Sequence, residues 1–308
     1  MKDVAVVGLG PSGMTAALYL ARSKLDVICF EKASPGGQIV MTDNIENYPG
    51  FPEGISGYEL AELFKKQLQS YPIEIKSEEI VSIEKKDNLI VKTSVSDYEV
   101  LSIVISTGAY PRRLGIKGED VFTGHGVSYC ATCDANFFRG KRVAVLGGGD
   151  SAVEEAIFLS KFVEKLYLIH RRDRLRAVGV LQDRISALTN VEFILDSVVE
   201  EIGGDSKVDF IKVNNLKTKD SKKIDLDGVF VFAGYTPNTQ FLKDFLQLDS
   251  EGHIITADDF KTSTEGVFAA GDVRSGSLKQ VISASGEGAH AAVKVSKYLD
   301  KIKGTLYD

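Results

Sequence analysis

The stretch Asp3-Val4-Ala5-Val6-Val7-Gly8-Leu9-Gly10-Pro11-Ser12-Gly13, continued by Met14-Thr15-Ala16-Ala17-Leu18-Tyr19-Leu20-Ala21, decides the fold of this chain. A short apolar run, a glycine turn and a segment of helix formers with small residues on one face predict strand, turn and helix. A second apolar run, Asp26 to Phe30, stops at Glu31, and together these make a complete βαβ nucleotide-binding unit. The glycines have separate tasks in that geometry. Gly8 permits the tight turn, Gly10 lets the backbone approach a pyrophosphate, and Gly13 lets the helix pack on the strand. The pyrophosphate is expected on the free N–H groups where Pro11 and Ser12 open the helix. Glu31 stands 23 residues beyond Gly8, placed to accept from ribose hydroxyls.

The pattern recurs. Lys141 to Leu146 is a second strand, Gly147-Gly148-Gly149-Asp150-Ser151-Ala152 its turn, and Ala152 to Leu159 its helix. The following strand, Leu166 to Ile169, ends at His170, again 23 residues beyond the first glycine. One glycine turn is weak as a signal; two in full βαβ context at one spacing are specific. Their differences assign the ligands. Where the first unit ends in Glu31, the second offers His170-Arg171-Arg172 with Arg176 nearby. An acid repels a 2′-phosphate and arginines bind one through charge-assisted bonds, so the second unit is expected to take NADP(H). A third segment, Gly266-Val267-Phe268-Ala269-Ala270-Gly271-Asp272, predicts a strand ending in an acid that can reach a flavin's hydroxyls. Paired with the N-terminal unit, it makes FAD the expected ligand there.

The runs Ala109 to Glu119 and Gly234 to Leu242 are loop-like and flank the second unit. The predicted fold is therefore α/β, with two Rossmann-like domains. A discontinuous FAD domain of residues 1–115 and 245–308 receives an inserted NADPH domain, 116–244, and the paired crossings are expected to act as a hinge. Composition agrees with this: 44% hydrophobic and 26% charged residues describe a globular protein. A net charge of −6 offers no broad basic surface for nucleic acid. No apolar run approaches the roughly 18–20 residues that span a bilayer, and Met1-Lys2-Asp3 leads straight into the first strand, so neither membrane insertion nor a signal peptide is expected. Three cysteines do not make a disulfide framework and point to a reducing cytoplasm, where a close pair is catalytic or metal-binding.

That pair is Cys130-Ala131-Thr132-Cys133-Asp134. At a helix start such spacing puts both sulfurs on one side within bonding reach, and the helix N-terminus favours the thiolate. Asp134 has two readings of equal standing, a proton donor and acceptor for exchange or an acid serving only the helix dipole. His125 with the two cysteines has the makings of a zinc site, but a structural site wants a fourth ligand, and no second CxxC or HxxxH occurs. Cys29, inside the second strand, is expected to be buried and inert; His253 and His290 have no partner motif.

Ser128-Tyr129-Cys130-Ala131-Thr132-Cys133-Asp134 resembles the signature of low-molecular-weight thioredoxin reductases, as do Gly36-Gly37-Gln38, Glu46-Asn47-Tyr48-Pro49-Gly50, His170-Arg171-Arg172-Asp173 with Arg176-Ala177, and Ala270-Gly271-Asp272. The resemblance covers essentially the whole chain. It implies an NADPH-dependent thioredoxin-disulfide reductase with FAD beside Gly37, Gln38, Asn47 and Asp272, NADPH on the Gly147–Ala152 turn, Cys133 facing the flavin, Cys130 exchanging with thioredoxin, and a homodimer. The chain departs from the family in two places: Ala135 where glycine is usual, and the run Lys279-Gln280-Val281 where Arg-Gln-Ala is usual near the flavin. A neighbouring reading is a flavin reductase for another thioredoxin-like carrier feeding a peroxidase. Such proteins usually carry a thioredoxin-like extension and a proline-histidine pair between the cysteines, neither of which is in this sequence. A ferredoxin-fed enzyme would not need Arg171, Arg172 and Arg176, and a non-catalytic redox sensor would have no use for a CxxC beside two cofactors.

Overall fold

The computed structural model describes residues 1–42 and 44–305. The chain divides into two units, Met1–Tyr110 with Thr236–Asp308, and Pro111–Tyr235. Both divisions fall inside the two runs that read as loop-like in the sequence.

The first unit opens with β1 (Lys2–Val7), α1 (Pro11–Arg22) and β2 (Val27–Phe30). It continues through a 3-10 turn at Gly37–Met41 to α2 (Gly57–Leu68), β3 (Glu74–Lys76), β4 (Ile80–Lys85), β5 (Leu89–Thr93) and β6 (Asp97–Ile105). The sheet order is β3-β2-β1-β6-β5-β4. The long β6 serves two partners on one side: Asp97 to Val100 pair antiparallel with β5, while Ile103 to Ile105 pair parallel with a late strand, Val267–Ala269. Parallel strands covered on both faces need no polar alternation, and β1 shows why. Val4 and Val6 pack with α1, while Ala5 and Val7 pack with Ile28, Phe30, Ile103 and Ile105 on the other face. Each Val, Ile or Phe so buried stabilises by about 1.5–3 kcal/mol, and that is what overrides the turn chemistry crowded at the strand ends.

The chain leaves this unit through β7 (Ala109–Pro111) and enters the second: β8 (Val127–Ser128), α3 (Ala131–Asp134), β9 (Arg142–Leu146), α4 (Asp150–Leu159), β10 (Lys165–Ile169), α5 (Gly179–Ser186) and β11 (Val191–Ile194). Three antiparallel strands follow, β12 (Ser197–Gly204), β13 (Val208–Asn215) and β14 (Ser221–Asp225), then β15 (Gly228–Val231). The parallel sheet runs β11-β10-β9-β15-β8. Val143, Val145, Leu166, Leu168 and Phe230 face α4 and α5, and Ala144, Leu146, Tyr167, Val229 and Val231 face the antiparallel strands.

The return crossing is β16 (Tyr235–Pro237), hydrogen-bonded to β7, with Arg112 N donating to Gly234 O at 2.8 Å. The crossings expected as plain loops thus contain a two-stranded ribbon, because Ala109–Pro111 and Tyr235–Pro237 run past each other and satisfy one another's backbone groups. The chain ends with β17 (Val267–Ala269) and α6 (Val281–Lys303). Helix α6 packs closely on α1, where a Cβ on Gly288 would collide with the carbonyl oxygen of Ser12. Each unit thus has a parallel core of strands, extended by antiparallel β4 and β5 in the first unit and faced by antiparallel β12–β14 in the second. In each the glycine turn leaves the first strand where the strand order reverses, the crevice in which such sheets bind nucleotides.

Candidate functional site

In the first glycine turn the three glycines divide their work. Gly8 has φ +91°, and a Cβ there would stand 2.6 Å from Ser106 O at the end of β6; one on Gly13 would collide with Gly8 O. Gly10 is open, with Gly37 Cα the nearest atom at 3.8 Å. Two glycines therefore serve chain packing, and the middle one leaves the N-terminus of α1 approachable by a ligand. Glu31 holds the turn: its carboxylate accepts from Leu9 N at 2.9 Å and Ala33 N at 3.1 Å. Pro11 opens α1, and the Ser12 hydroxyl is buried there without a hydrogen-bond partner, as is Ser285 on α6. An unpaired buried hydroxyl costs about 1–3 kcal/mol, so a polar ligand at this helix start fits the residues present.

Other predicted residues gather in the same unit. Gly36 N donates to Leu9 O, and a Cβ on Gly37 would lie 2.9 Å from Gly10 Cα, so the Gly37–Met41 turn begins against the first glycine turn. Gln38 follows, exposed. Asn47 Nδ2 donates to Gln280 Oε1 at 3.0 Å. Gln280 caps α6 in a capping box with Ser283, Val281 packs against Ile39, Ile45 and Leu60, and Lys279 adopts φ +58°. Of the two residues that depart from Arg-Gln-Ala, Val281 is thus packed and Lys279 stands in a left-handed turn, while the shared Gln280 caps the helix.

Asp272 follows β17. Burial pushes its pKa up to about 6, with Glu287 adding to the rise; the charge of Lys279 and a hydrogen bond from Ser277 Oγ at 3.4 Å oppose it. Gly271, at φ +80°, donates its N–H to Glu287 Oε2 at 2.7 Å. Glu287 is held bidentately by Arg274 at 2.7 and 3.0 Å, and Arg274 lies over the Phe260 ring. Sequence reasoning missed Glu287 and Arg274. One signal was present, an acid between Gly286 and Gly288 on a helix otherwise packed through small residues.

The second turn repeats the arrangement inside Pro111–Tyr235. A Cβ on Gly147 would lie 2.5 Å from Ala152 Cβ and 2.7 Å from Phe232 O, whereas Gly149 meets only Arg176 Nη2 at 3.7 Å. Arg176 N donates to Gly148 O at 2.6 Å, and Arg171 and Arg172 are exposed. His170 differs from its neighbours. It is 6% exposed, its ring occupies the space a Gly148 side chain would need, and its Nε2 has no partner. Burial first, then Arg176, Arg172 and Arg171, hold its pKa below the ordinary imidazole value. Near neutral pH the uncharged form is therefore favoured, and the ring fills the space beneath the turn. Asp150 Oδ1 accepts from Val178 N at 2.8 Å, tying α4 to the segment before α5, and Ser151 lies exposed in the first turn of α4.

Cys130 and Cys133 form a disulfide, with Cα atoms 5.3 Å apart and both residues half-buried. The helix expected to favour the thiolate is only the four-residue α3, with Cys130 as its N-cap. One turn carries little macrodipole, so the local donor matters more: Cys133 N reaches Cys130 Sγ at 3.2 Å. Ser128 Oγ accepts from Cys130 N at 3.1 Å, and Asp134 N donates to Cys130 O. Cys29 is fully buried in β2, and burial pushes its thiol pKa far up. His125 lies exposed, with Nδ1 3.4 Å from Thr123 O.

With this geometry in place, residues 2–288 match the family model of the pyridine nucleotide-disulphide oxidoreductases. The chain is 41% identical over 302 residues to a thioredoxin reductase of Treponema pallidum, covering 98% of each chain. It is 42% identical over 305 residues to one of Peptoclostridium acidaminophilum, covering 97% of each. The crystal structure of thioredoxin reductase from Streptococcus pyogenes superposes with a TM-score of 0.92 at 47% identity, covering 98% of this chain and 99% of that one.

Proposed function

From the premise that this chain belongs to the pyridine nucleotide-disulphide oxidoreductases, we propose that it is an NADPH-dependent thioredoxin-disulfide reductase containing FAD. The observation that carries the reading is the Cys130–Cys133 disulfide standing directly before a second complete nucleotide unit.

The first unit would hold FAD. Gly10, Pro11 and Ser12 would meet its pyrophosphate, Glu31 its ribose and Asp272 its hydroxyls, with Gly37, Gln38, Asn47 and the Lys279-Gln280-Val281 run completing the cradle. The second would hold NADPH, with Gly149, Asp150, Ser151 and Ala152 at the pyrophosphate and Arg171, Arg172 and Arg176 at the 2′-phosphate. When bound, the two supply a hydride and relay its electron pair to the disulfide. What the chain's own residues then do is thiol–disulfide exchange. The Cys130 thiolate attacks one sulfur of the oxidised partner, which releases the other sulfur as a thiolate and leaves a mixed disulfide. The Cys133 thiolate attacks Cys130 Sγ, freeing the second partner thiol and restoring the Cys130–Cys133 bond. Asp134, next in the chain, would give and take the accompanying proton.

The same reading makes the active form a homodimer and sets it in the reducing cytoplasm, where an oxidised partner must be recycled. Among the described residues no helix is long and apolar enough to cross a membrane. The test is NADPH oxidation by the purified protein with and without a thioredoxin. Turnover is expected only with thioredoxin present and with NADPH strongly preferred to NADH. Oxidation indifferent to thioredoxin would remove the reading.

A further inference from the structure

Tyr129 and Glu119 lie outside every role assigned above. Glu119 is 1% exposed, a carboxylate inside the segment that leads away from β7. Its oxygens accept from Leu114 N at 3.1 Å and Ile116 N at 3.1 Å, and its own N–H donates to Ile116 O at 2.9 Å. The loop from the first crossing is therefore folded around this one side chain. The remaining partner is the Tyr129 hydroxyl, which donates to Glu119 Oε1 at 2.8 Å. Burial and that bond push the Tyr129 phenol up to about 12, so it stays a donor at any working pH.

Tyr129 is also the residue before Cys130. Its carbonyl accepts from the Tyr235 hydroxyl at 3.5 Å, and Tyr235 begins β16, the return crossing. One residue is thus held at its side-chain end by the outward crossing and at its backbone by the return crossing. On the other side of the Tyr129–Cys130 peptide, Cys130 N is fixed by Ser128 Oγ. This leaves the Cys130 backbone little freedom, and that fixity keeps Sγ on the Cys133 N–H.

We propose that Glu119 and Tyr129 are positioning residues for the redox pair. Through the Tyr129 hydroxyl they hold Cys130 so that its sulfur keeps the Cys133 N–H as a donor once the disulfide is opened. The inference rests on the reading of Cys130–Cys133 as the redox pair. A thiolate is a far stronger acceptor than a disulfide sulfur, so the bond acts mainly on the reduced form. Stabilising the reduced form makes a pair easier to reduce. The charges that act on the Tyr129 phenol are Glu119 and Arg113, the latter paired with Asp120 on the same loop.

The test uses the full-length flavoprotein with Tyr129→Phe, which keeps the ring and removes only the hydroxyl, and with Glu119→Gln, which keeps an acceptor for it. Two quantities are read: the equilibrium of the Cys130–Cys133 pair against dithiothreitol, and the iodoacetamide alkylation rate of Cys130 in a Cys133→Ser background at neutral pH. Tyr129→Phe is expected to make the pair about fivefold harder to reduce and to slow alkylation by about the same factor, the size of one ordinary hydrogen bond. Glu119→Gln should fall between it and the parent, and the flavin absorption spectrum should be unchanged in both. If Tyr129→Phe lowers thermal stability while leaving both quantities at parental values, the residue is only structural and the proposal is overturned. Should Tyr129→Phe fail to fold, Glu119→Gln decides on the same two readouts. The parent's own turnover with NADPH and thioredoxin is measured alongside. Its failure would count against the enzymatic reading, whereas an unchanged dithiothreitol equilibrium in the variants would count against this inference alone.

Discussion

Replacing Asp272 by asparagine should stabilise the flavin-free protein, and by an amount that depends on pH in a defined sense. The carboxyl follows the buried β17, and burial raises its pKa from 3.8 to about 6. The opposing influences, the charge of Lys279 and the hydrogen bond from Ser277, are already included in that balance. A carboxyl whose folded pKa lies above its unfolded value makes the ionised folded state costly. The cost is fully present above about 6, shrinks as pH falls toward 3.8, and is absent below it. The displacement corresponds to about 3 kcal/mol at neutral pH, an upper size because water reaching the carboxylate relaxes the penalty. Asparagine keeps an oxygen for Ser277 and carries no charge. Urea unfolding of the flavin-free protein, followed by circular dichroism at neutral pH and near pH 4, should show the variant ahead at neutral pH and level with the parent in acid. A variant no more stable than the parent at neutral pH, or an advantage that does not change with pH, would show that Asp272 is ionised at no cost and that its burial is not what sets its titration.

Changing Cys130 or Cys133 to serine should abolish thioredoxin reduction while FAD remains bound and reducible by NADPH, since the residues proposed to hold FAD belong to Met1–Tyr110 and Thr236–Asp308; near-normal turnover by Cys130→Ser would take the pair out of the mechanism. On the proposed NADPH reading, neutralising Arg171 and Arg172 would remove two charge-assisted bonds of about 1.5–3 kcal/mol each. Titrations should then show NADPH binding weakened by about 100-fold or more and NADH little affected, whereas equal losses would mean that the arginines only support the fold. Gly288→Ala forces α6 off the Ser12 carbonyl and should cost about 1–3 kcal/mol with loss of flavin on gel filtration; an unshifted melting temperature would show that the helices have slack there. Cys130–Cys133 and the Gly147–Ala152 turn ride on the same unit, Pro111–Tyr235, and a flavin face admits one reactant at a time. Turnover should therefore slow as sucrose raises solvent viscosity, and a rate indifferent to viscosity would favour a fixed arrangement.

Both nucleotide units were legible because their signals are local and redundant. Gly8, Gly10 and Gly13 mark a turn that only small residues can make, and apolar strands stand on either side of it at fixed spacing. Backbone sterics then reproduce the expected division of labour, with Gly10 and Gly149 left open and Gly8, Gly13 and Gly147 closed against neighbouring chain. The disulfide was legible for the same reason, since two residues between cysteines fix their separation whatever surrounds them.

Residues that act by meeting something distant in sequence were not legible. Glu287 lies 16 residues from the Gly271 N–H it accepts, and Glu119 lies 10 from the Tyr129 hydroxyl. A charged residue that will be buried looks, in sequence, like any solvated one until the fold supplies its partners. His170 shows a further difference that sequence does not carry. It adjoins Arg171 and Arg172, yet the end of β10 leaves it inward beneath Gly148 while Arg171 and Arg172 stay in solvent. Burial and the positive charges of Arg176, Arg172 and Arg171 together hold its pKa below the ordinary imidazole value, so the arginines proposed to meet a 2′-phosphate are the same ones that disfavour a charge on His170.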